Sequence, residues 1–469
     1  MKFLLITIFI AALLTITGCG RRAIVDTDDE VYAMHGLEED LAVVSHYKPP
    51  PTPTPIELTG FAADAQFLVE RIEATHPIFV VDGWLGDDYD DIRSWFLTYA
   101  QNPNITRLDF AFAAARYITT LRDGHMNMAL RDNAETWESA FLGAPLVIDW
   151  VAQGDKLFLL DDNMEITQAR VVAIGGVPVA SVFAVVDRYF YAENEADRYF
   201  NRRRFPRFEN VINRAGGEAI NEVVPVTVYE NGQTTMLEVP LRQPQDAATH
   251  SGPDFIIRYE IKDDIFFIDL RQFINGDHIT EAAASIAQAV ADGISHFIVD
   301  LRYNGGGDST AGSRLLSAMG LRIPQHGVVR RLSDEFVAVP HFRDYRWHRM
   351  LGREYVRYEP WIHEDANPNN VFVSVLTNCN TYSSATMMGV WVQDGGFGNI
   401  IGSPSRNAPS TFGNWIGPVT LPYSGIAVGL SSSQFLRPDI DADPTTLWPD
   451  IMVDPAEALD VAIEYLRNR

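Results

Sequence analysis

Two adjacent hydroxyls, Ser383 and Ser384, stand where a segment that reads as strand meets one that reads as helix. Val371–Val375 (VFVSV) has the β-branched and aromatic make-up of a buried strand. Asn378-Cys379-Asn380-Thr381 then breaks it with turn formers. Ser384–Gln393 favours helix, and Gly395-Gly396 supplies the stop. A serine so placed is held by a rigid turn and faces the unpaired N–H groups of a helix start. Exposure, and donors for a developing oxyanion, are two needs of an acyl-transfer nucleophile. Ser is also a favoured N-cap, and this segment alone leaves the two roles equally open. A hydroxyl needs a base, and imidazole titrates near neutral pH. His125 follows the turn Asp123-Gly124, but a lone histidine is more often structural. A third feature is Gly305-Gly306-Gly307, whose glycines permit positive φ and close backbone approach. The Lys-Ser/Thr of a phosphate loop is missing there, so the turn reads as exposed N–H donors beside a site. His326, His341, His348 and His363 lack metal-ligand spacing and read as surface or packing residues.

The elements that must position these groups change character along the chain. Residues 59–135 form a helical unit carrying His125, with apolar residues at helical spacing over Phe61–Ala74, Asp90–Ala100 and Asp109–Leu121. Residues 143–242 are β-rich: Pro145–Val151, Lys156–Leu160, Val171–Ile174, Val223–Tyr229 and Met236–Leu241, with a hairpin signal at Asn231-Gly232. Within them Ala169–Val182 resembles the strand–glycine–hairpin signature of PDZ-like modules, which bind chain ends at an open sheet edge. From residue 254 to 467 strand and helix alternate. Ile265–Leu270 and Phe297–Leu301 read as buried strands around the helix Ile279–Ala291, and a further helix starts at Thr310. Residues 323–370 predict long strands or a loop covering a cleft.

At 469 residues the chain predicts two or three domains. A net charge of −25 argues against nucleic acid or an anionic membrane surface as partner. Only four lysines occur: Lys2, Lys48, Lys156 and Lys262. Residues 1–19 read as a secretory signal, Lys2 preceding an apolar run too short to span a membrane. The signal ends in Ile16-Thr17-Gly18-Cys19, which resembles the lipobox of bacterial lipoproteins and implies a lipid on Cys19. Residues 20–58 are an acidic tether stiffened by Pro49–Pro55. The only other cysteine is Cys379, so a disulfide framework is excluded if Cys19 is lipidated.

Four motifs in order carry a family resemblance. Asp300-Leu301-Arg302-Tyr303-Asn304-Gly305-Gly306-Gly307 resembles D-L-R-x-N-x-G-G, and Thr381-Tyr382-Ser383-Ser384-Ala385 resembles T-x-S-small-small. Ile400-Ile401-Gly402-Ser403-Pro404 and Pro449-Asp450-Ile451 resemble the strand and the closing P-D-I that follow. Together they resemble the tail-specific, or C-terminal processing, serine peptidases and their tricorn-core-like relatives. The resemblance implies a multidomain chain of mixed α+β and α/β class: a helical unit, a PDZ-like β-rich module and a ClpP/crotonase-like catalytic core. One branch of that family uses a lysine base in the loop after the nucleophile helix, where this chain has Arg406-Asn407-Ala408-Pro409 and no lysine follows Lys262. The other branch takes a histidine from an L-x-D-G-H-x motif, which Leu121–Met126 resembles. The implied roles are Ser383 as nucleophile, His125 as general base, and Asp439 as the acid that orients the imidazole, chosen by its position late in the chain. The backbone N–H groups of Gly306 and Ser384 are the implied oxyanion donors. The expected function is a lipid-anchored, extracytoplasmic serine endopeptidase acting on unfolded or C-terminal polypeptide segments, with no metal or cofactor. The alternative is a catalytically weakened lipoprotein that binds peptide or another ligand on the same fold.

Overall fold

A computed structural model describes residues 58–126, 128–130, 141–218, 222–242 and 255–469. The signal segment, Cys19 and the tether as far as residue 57 lie outside the described residues. None of the helices among those residues is long and apolar enough to cross a membrane.

The helical unit comprises α1 (Gly60–Thr75), α2 (Tyr89–Tyr99) and α3 (Arg107–Thr119). Its helices form where apolar spacing demanded them: α1 buries Ala65, Leu68, Val69 and Ile72 on one face. A capping box starts α3, the Thr106 hydroxyl accepting from Asp109 N–H while the Asp109 carboxylate accepts from Thr106 N–H. The chain then enters β1 (Met128–Leu130).

The next part runs β2 (Trp150–Gln153), β3 (Lys156–Leu160), β4 (Ile166–Ile174), β5 (Val177–Pro178), α4 (Val179–Tyr189), α5 (Glu195–Arg204), α6 (Glu209–Arg214), β6 (Val223–Glu230) and β7 (Gln233–Pro240). Its strands pair antiparallel in the order β2-β3-β4-β6-β7, with β5 on β4. The stretch Ala169–Val182 is therefore strand, glycine turn, short strand and the first turn of a helix. Gly175 (φ 60°) and Gly176 (φ 81°) make that turn in the left-handed region. Helix α4 buries Val179, Val182, Phe183 and Val186, a stripe at i, i+3, i+4 and i+7.

The remainder runs β8 (Ile257–Lys262), β9 (Ile265–Leu270), α7 (Asp277–Ala291), β10 (His296–Asp300), α8 (Ser309–Ala318), β11 (Gly327–Arg331), α9 (Asp334–Ala338), α10 (Arg346–Met350), β12 (Tyr355–Tyr358), β13 (Phe372–Thr377), α11 (Ser384–Asp394), β14 (Gly398–Gly402), β15 (Thr411–Thr420), β16 (Ile426–Leu436), β17 (Ile451–Met452) and α12 (Ala458–Arg467). One sheet has the order β17-β14-β13-β10-β9-β8, parallel except for β8. Helices α7, α8 and α11 pack on one of its faces through Ile286, Leu315 and Met388. On the other, α12 sets Ala458, Ala462 and Leu466 against Ile265, Ile298, Leu376 and Ile401. Each large aliphatic side chain so buried stabilises the fold by about 1.5–3 kcal/mol.

A second sheet, β1-β16-β11-β12 with β15 on β16, joins this core to the helical unit. Residues 323–370, expected as long strands or a loop covering a cleft, form two short strands, two short α-helices, a 3₁₀ helix (Pro340–Tyr345) and a small core of Leu332, Phe336, Phe342, Tyr345 and Val356. Ser333 explains the break, its side chain accepting from Phe336 N–H to start α9. The turn between β15 and β16 is clamped by α1 and α3 of the helical unit. The buried Asp64 of α1 accepts from the N–H groups of Tyr423 (2.9 Å) and Ser424 (2.6 Å). Arg107 of α3 donates to the Ser424 carbonyl at 2.6 Å. Since Met128 of β1 registers with Val428 of β16, the segment carrying His125 is tied at both ends to the sheet beside the parallel core.

Candidate active site

Strand β13 ends at Thr377, and the turn to α11 is built by side chains closing on backbone. The Thr381 hydroxyl donates to the Leu301 carbonyl at 2.8 Å, fastening this turn to the end of β10. Asn304 ties three segments at once: its amide donates to Leu270 O (2.8 Å), its side-chain oxygen accepts from Gly306 N–H (2.8 Å), and its carbonyl accepts from Tyr382 N–H (3.1 Å). The glycine turn is thereby pressed against the nucleophile turn. A Cβ at Gly306 (φ 97°) would lie 2.7 Å from Ser383 Cβ and 2.9 Å from Ser384 N, so only glycine fits.

Ser383 itself sits at φ 52°, ψ −127°, a region that costs a non-glycine residue about 1–3 kcal/mol. It is half-buried and its side chain does not cap α11. Strain of this kind keeps the Oγ out of the helix's own hydrogen bonds and aims it at the opposing segment, as in a nucleophile elbow. What it meets there is His125, whose Nε2 lies 3.0 Å from Ser383 Oγ across 258 residues of sequence. The neighbouring Ser384 hydroxyl is engaged elsewhere, donating to Gly307 O at 2.6 Å.

His125 is set by the turn it follows. Asp123 Oδ1 accepts from His125 N–H at 2.7 Å, an Asx turn, and Asp123 Oδ2 meets His76 Nε2 at 3.1 Å with both side chains fully buried. Ile78 N–H donates to His76 Nδ1, which leaves Nε2–H to donate to Asp123. Burial alone would raise the Asp123 pKa. The hydrogen bond from His76 and the charge of His125 hold it below the usual carboxylate value instead.

On the far side of the imidazole stands Glu193, which joins α4 to α5. Its Oε1 lies 3.7 Å from His125 Nδ1, against 3.9 Å for Asp123 Oδ1. The Glu193 carboxylate is nearly sealed from solvent and accepts from Gly124 N–H (3.1 Å), Tyr382 Oη (3.2 Å), Ala408 N–H (2.8 Å), Thr411 Oγ1 (3.1 Å) and the Asn407 amide. Burial pulls the His125 pKa down, but the nearby Glu193 carboxylate, helped by the charge of Asp123, outweighs it and holds the ring above its ordinary value. Asp123, His125 and Glu193 bring ligand-type atoms within 4.8 Å of one another. Their oxygens are taken by the N–H and O–H donors just named, which makes the cluster a setting for an imidazole before it is a cage for a cation.

Two of the residues assigned from sequence are placed differently. The backbone N–H of Asp439 donates to Asp394 and its carboxylate accepts from Asp441 N–H at 3.0 Å; Glu193 occupies the position beside the ring that Asp439 was to fill. Asp394 is drawn into the Arg437 guanidinium (2.7 Å), which holds this acidic stretch at the end of α11. Gly306 N–H is taken by Asn304, so it does not point at an oxyanion, and the glycine serves by being small. Glu193 lies in a part of the chain that the strand pattern did not single out. The one sequence hint is Asn194, whose side chain caps α5 by accepting from Asp197 N–H and so fixes where Glu193 ends.

A cavity of about 190 Å³ opens beside the Asp123-Gly124 turn, walled by Phe141, Phe190 and Phe205 and edged by Asp197, Arg204 and Arg406. Burial, partly offset by Arg406, pushes the Asp197 pKa up to about 7. Trp391 donates to Nδ1 of the buried His326 (3.1 Å), and burial pushes the pKa of that ring down to about 3, the state of a packing histidine. Burial likewise raises the pKa of Cys379.

Residues 264–453 match the model of peptidase family S41. Mature CPAF, as a crystal structure, is 16% identical at a TM-score of 0.57, the match covering 87% of this chain and 95% of that one. Mature CPAF complexed with lactacystin is 15% identical at 0.56, covering 87% and 97%. The photosystem II D1 C-terminal processing protease is 13% identical at 0.44, covering 85% and 94%. At such identities the CPAF likeness is one of fold. No curated protein sequence matches this one.

Proposed function

Through residues 264–453 the chain belongs to peptidase family S41 and is a serine-type peptidase with a polypeptide substrate, and from that premise we propose an extracytoplasmic endopeptidase in which Ser383 attacks and His125 is the general base. The observation that carries the roles is the 3.0 Å approach of His125 Nε2 to Ser383 Oγ at a strained turn facing a glycine loop. The Ser383 proton passes to Nε2 as Oγ bonds to the peptide carbonyl carbon. The oxyanion that results takes N–H donors. Ser384 N–H, at the first turn of α11, is one. Gly307 offers the second. Phe273 bonds to Gly306 O and to Asp308 N, leaving Gly307's own N–H out of that ladder, and Gly307 O faces Ser384. Collapse expels the amine, which takes the proton from Nε2. Water, deprotonated by the same nitrogen, then releases the acyl group from Ser383.

A fluorophosphonate probe tests the assignment, since it reacts only with an activated serine. Labelling is expected in the native chain, absent in Ser383→Ala, and strongly reduced in His125→Ala. A native chain that stays unlabelled while folded would return it to the binding-protein reading.

The extracytoplasmic, lipid-anchored setting is supported by the sequence alone, through Ile16–Cys19 and the proline-stiffened tether. Metabolic labelling with a fatty acid is expected to mark the chain and to disappear in Cys19→Ala. Equal labelling of both would place the lipid elsewhere.

A further inference from the structure

Two carboxylates lie at nearly equal distances from His125 Nδ1, and the hydrogen bonds decide between them. Neither distance, 3.7 Å for Glu193 or 3.9 Å for Asp123, is a direct hydrogen bond. Asp123 Oδ1 is already held by the N–H of His125 itself, and its other oxygen by His76, so it fixes the backbone of the turn rather than the ring. On the Glu193 side a hydroxyl stands in the gap. Tyr382 Oη is 3.4 Å from His125 Nδ1 and 3.2 Å from Glu193 Oε1. A phenol donates one hydrogen bond while accepting another, so Nδ1–H can be received by Oη while Oη–H is given to Glu193.

We propose that Tyr382 and Glu193 together orient the catalytic imidazole, in the chain order His125–Glu193–Ser383, with the phenol relaying the contact between ring and carboxylate. Both act through His125 and are positioning residues. The inference rests on the peptidase reading and deepens it, and it departs from the late-chain acid that the family resemblance implies.

Three observations beyond the distances support it. The relay needs Tyr382 to keep its proton, and burial with the charge of Glu193 raises its pKa well above the ordinary phenol value. The phenol ring is clamped: the Arg406 guanidinium lies 4.0 Å over it and 4.2 Å over Phe200, and pairs with Asp197 at 3.4 Å. Asp197 in turn accepts from Glu193 N–H at 3.2 Å, so one ion pair holds both members of the relay. Finally, the segment 405–411, which contains the Arg406–Pro409 stretch that the resemblance matches to the lysine branch's base, supplies Asn407, Ala408 and Thr411 as donors to Glu193. The groups facing the ring are thus Asp123 from the helical unit, Glu193 from the β-rich part, and Tyr382 and Arg406 from the core.

The experiment uses the full chain with Glu193→Gln, Glu193→Asp, Tyr382→Phe and, as control, Asp439→Asn. Peptide hydrolysis is followed against pH, and the His125 ring is titrated by NMR, a readout independent of turnover. Glu193→Gln is expected to lower kcat about 10²–10⁴-fold, the scale on which a triad loses its acid, and to bring the His125 midpoint down to or below about 6.5. Tyr382→Phe keeps the charge, so it lowers kcat while moving that midpoint less. Glu193→Asp keeps the midpoint raised, which separates loss of charge from a disturbed 405–411 segment. Asp439→Asn leaves rate and midpoint alone. An unchanged midpoint and rate in Glu193→Gln, or a loss confined to Asp439→Asn, overturns the inference while the peptidase reading stands. An inert Ser383 in the native chain overturns the peptidase reading, and the NMR titration still reports whether Glu193 governs the ring.

Discussion

Ser383→Ala is expected to lower kcat/KM on an unfolded protein substrate by about a million-fold, the loss seen when serine peptidases are stripped of their nucleophile. The magnitude follows from what remains. The donors at Ser384 and Gly307 and the substrate-binding surface persist, but no other hydroxyl can replace the missing one. Ser384 Oγ is bound to Gly307 O at 2.6 Å, and moving it into line would break the contact that seats the glycine turn. The same substitution leaves the backbone strain in place, because alanine at φ 52° is no more comfortable than serine. Ser383→Gly removes that strain and should melt higher than Ser383→Ala while being equally inactive. Activity assays and thermal melts of the pair separate the chemistry of the site from its geometry. Turnover by Ser383→Ala within a hundred-fold of the native chain would remove Ser383 from the reaction.

How much of this was legible beforehand depended on the range over which each feature is encoded. Strand β9, Ile265–Leu270, is a local apolar run and ends where its sequence says it ends. Strand β3, Lys156–Leu160, behaves alike. The turn at Ser383 was legible because strand, turn formers and helix follow each other within some twenty residues. The acid beside the imidazole was not. Glu193 acquires its position from donors 69 to 218 residues away in sequence, and near it only the cap residue Asn194 marks it. Asp439 looked better because it lies late in the chain, but the Arg437–Asp394 pair turns that stretch toward the end of α11. Gly306 shows the same limit on a smaller scale. Its conformational freedom was readable, whereas the direction of its N–H depends on the side-chain oxygen of Asn304 two residues earlier. Helix α4 was hidden differently, its first turn lying inside a segment whose glycines suggested a hairpin.

His125→Ala is the second substitution with an effect of about a million-fold, and it carries a signature that Ser383→Ala lacks. The ring must be neutral to accept the Ser383 proton, and Glu193 and Asp123 hold its pKa above the ordinary value of about 6.5. Turnover in the native chain should therefore rise with pH along a limb whose midpoint lies above 6.5. The residual activity of His125→Ala should lack that limb. Stability runs the other way. A histidine whose folded pKa is raised adds stability that is fully present below about 6.5 and is lost as pH rises through the folded value. Replacing His125 should then cost more melting temperature in mild acid than in mild alkali, and it exposes Glu193 and Asp123 to each other without the cation between them. Because serine and histidine act as one unit, the double substitution should be little slower than either single one. A native acid limb at or below pH 6.5, or losses that multiply in the double variant, would show that His125 does not serve Ser383 as its base.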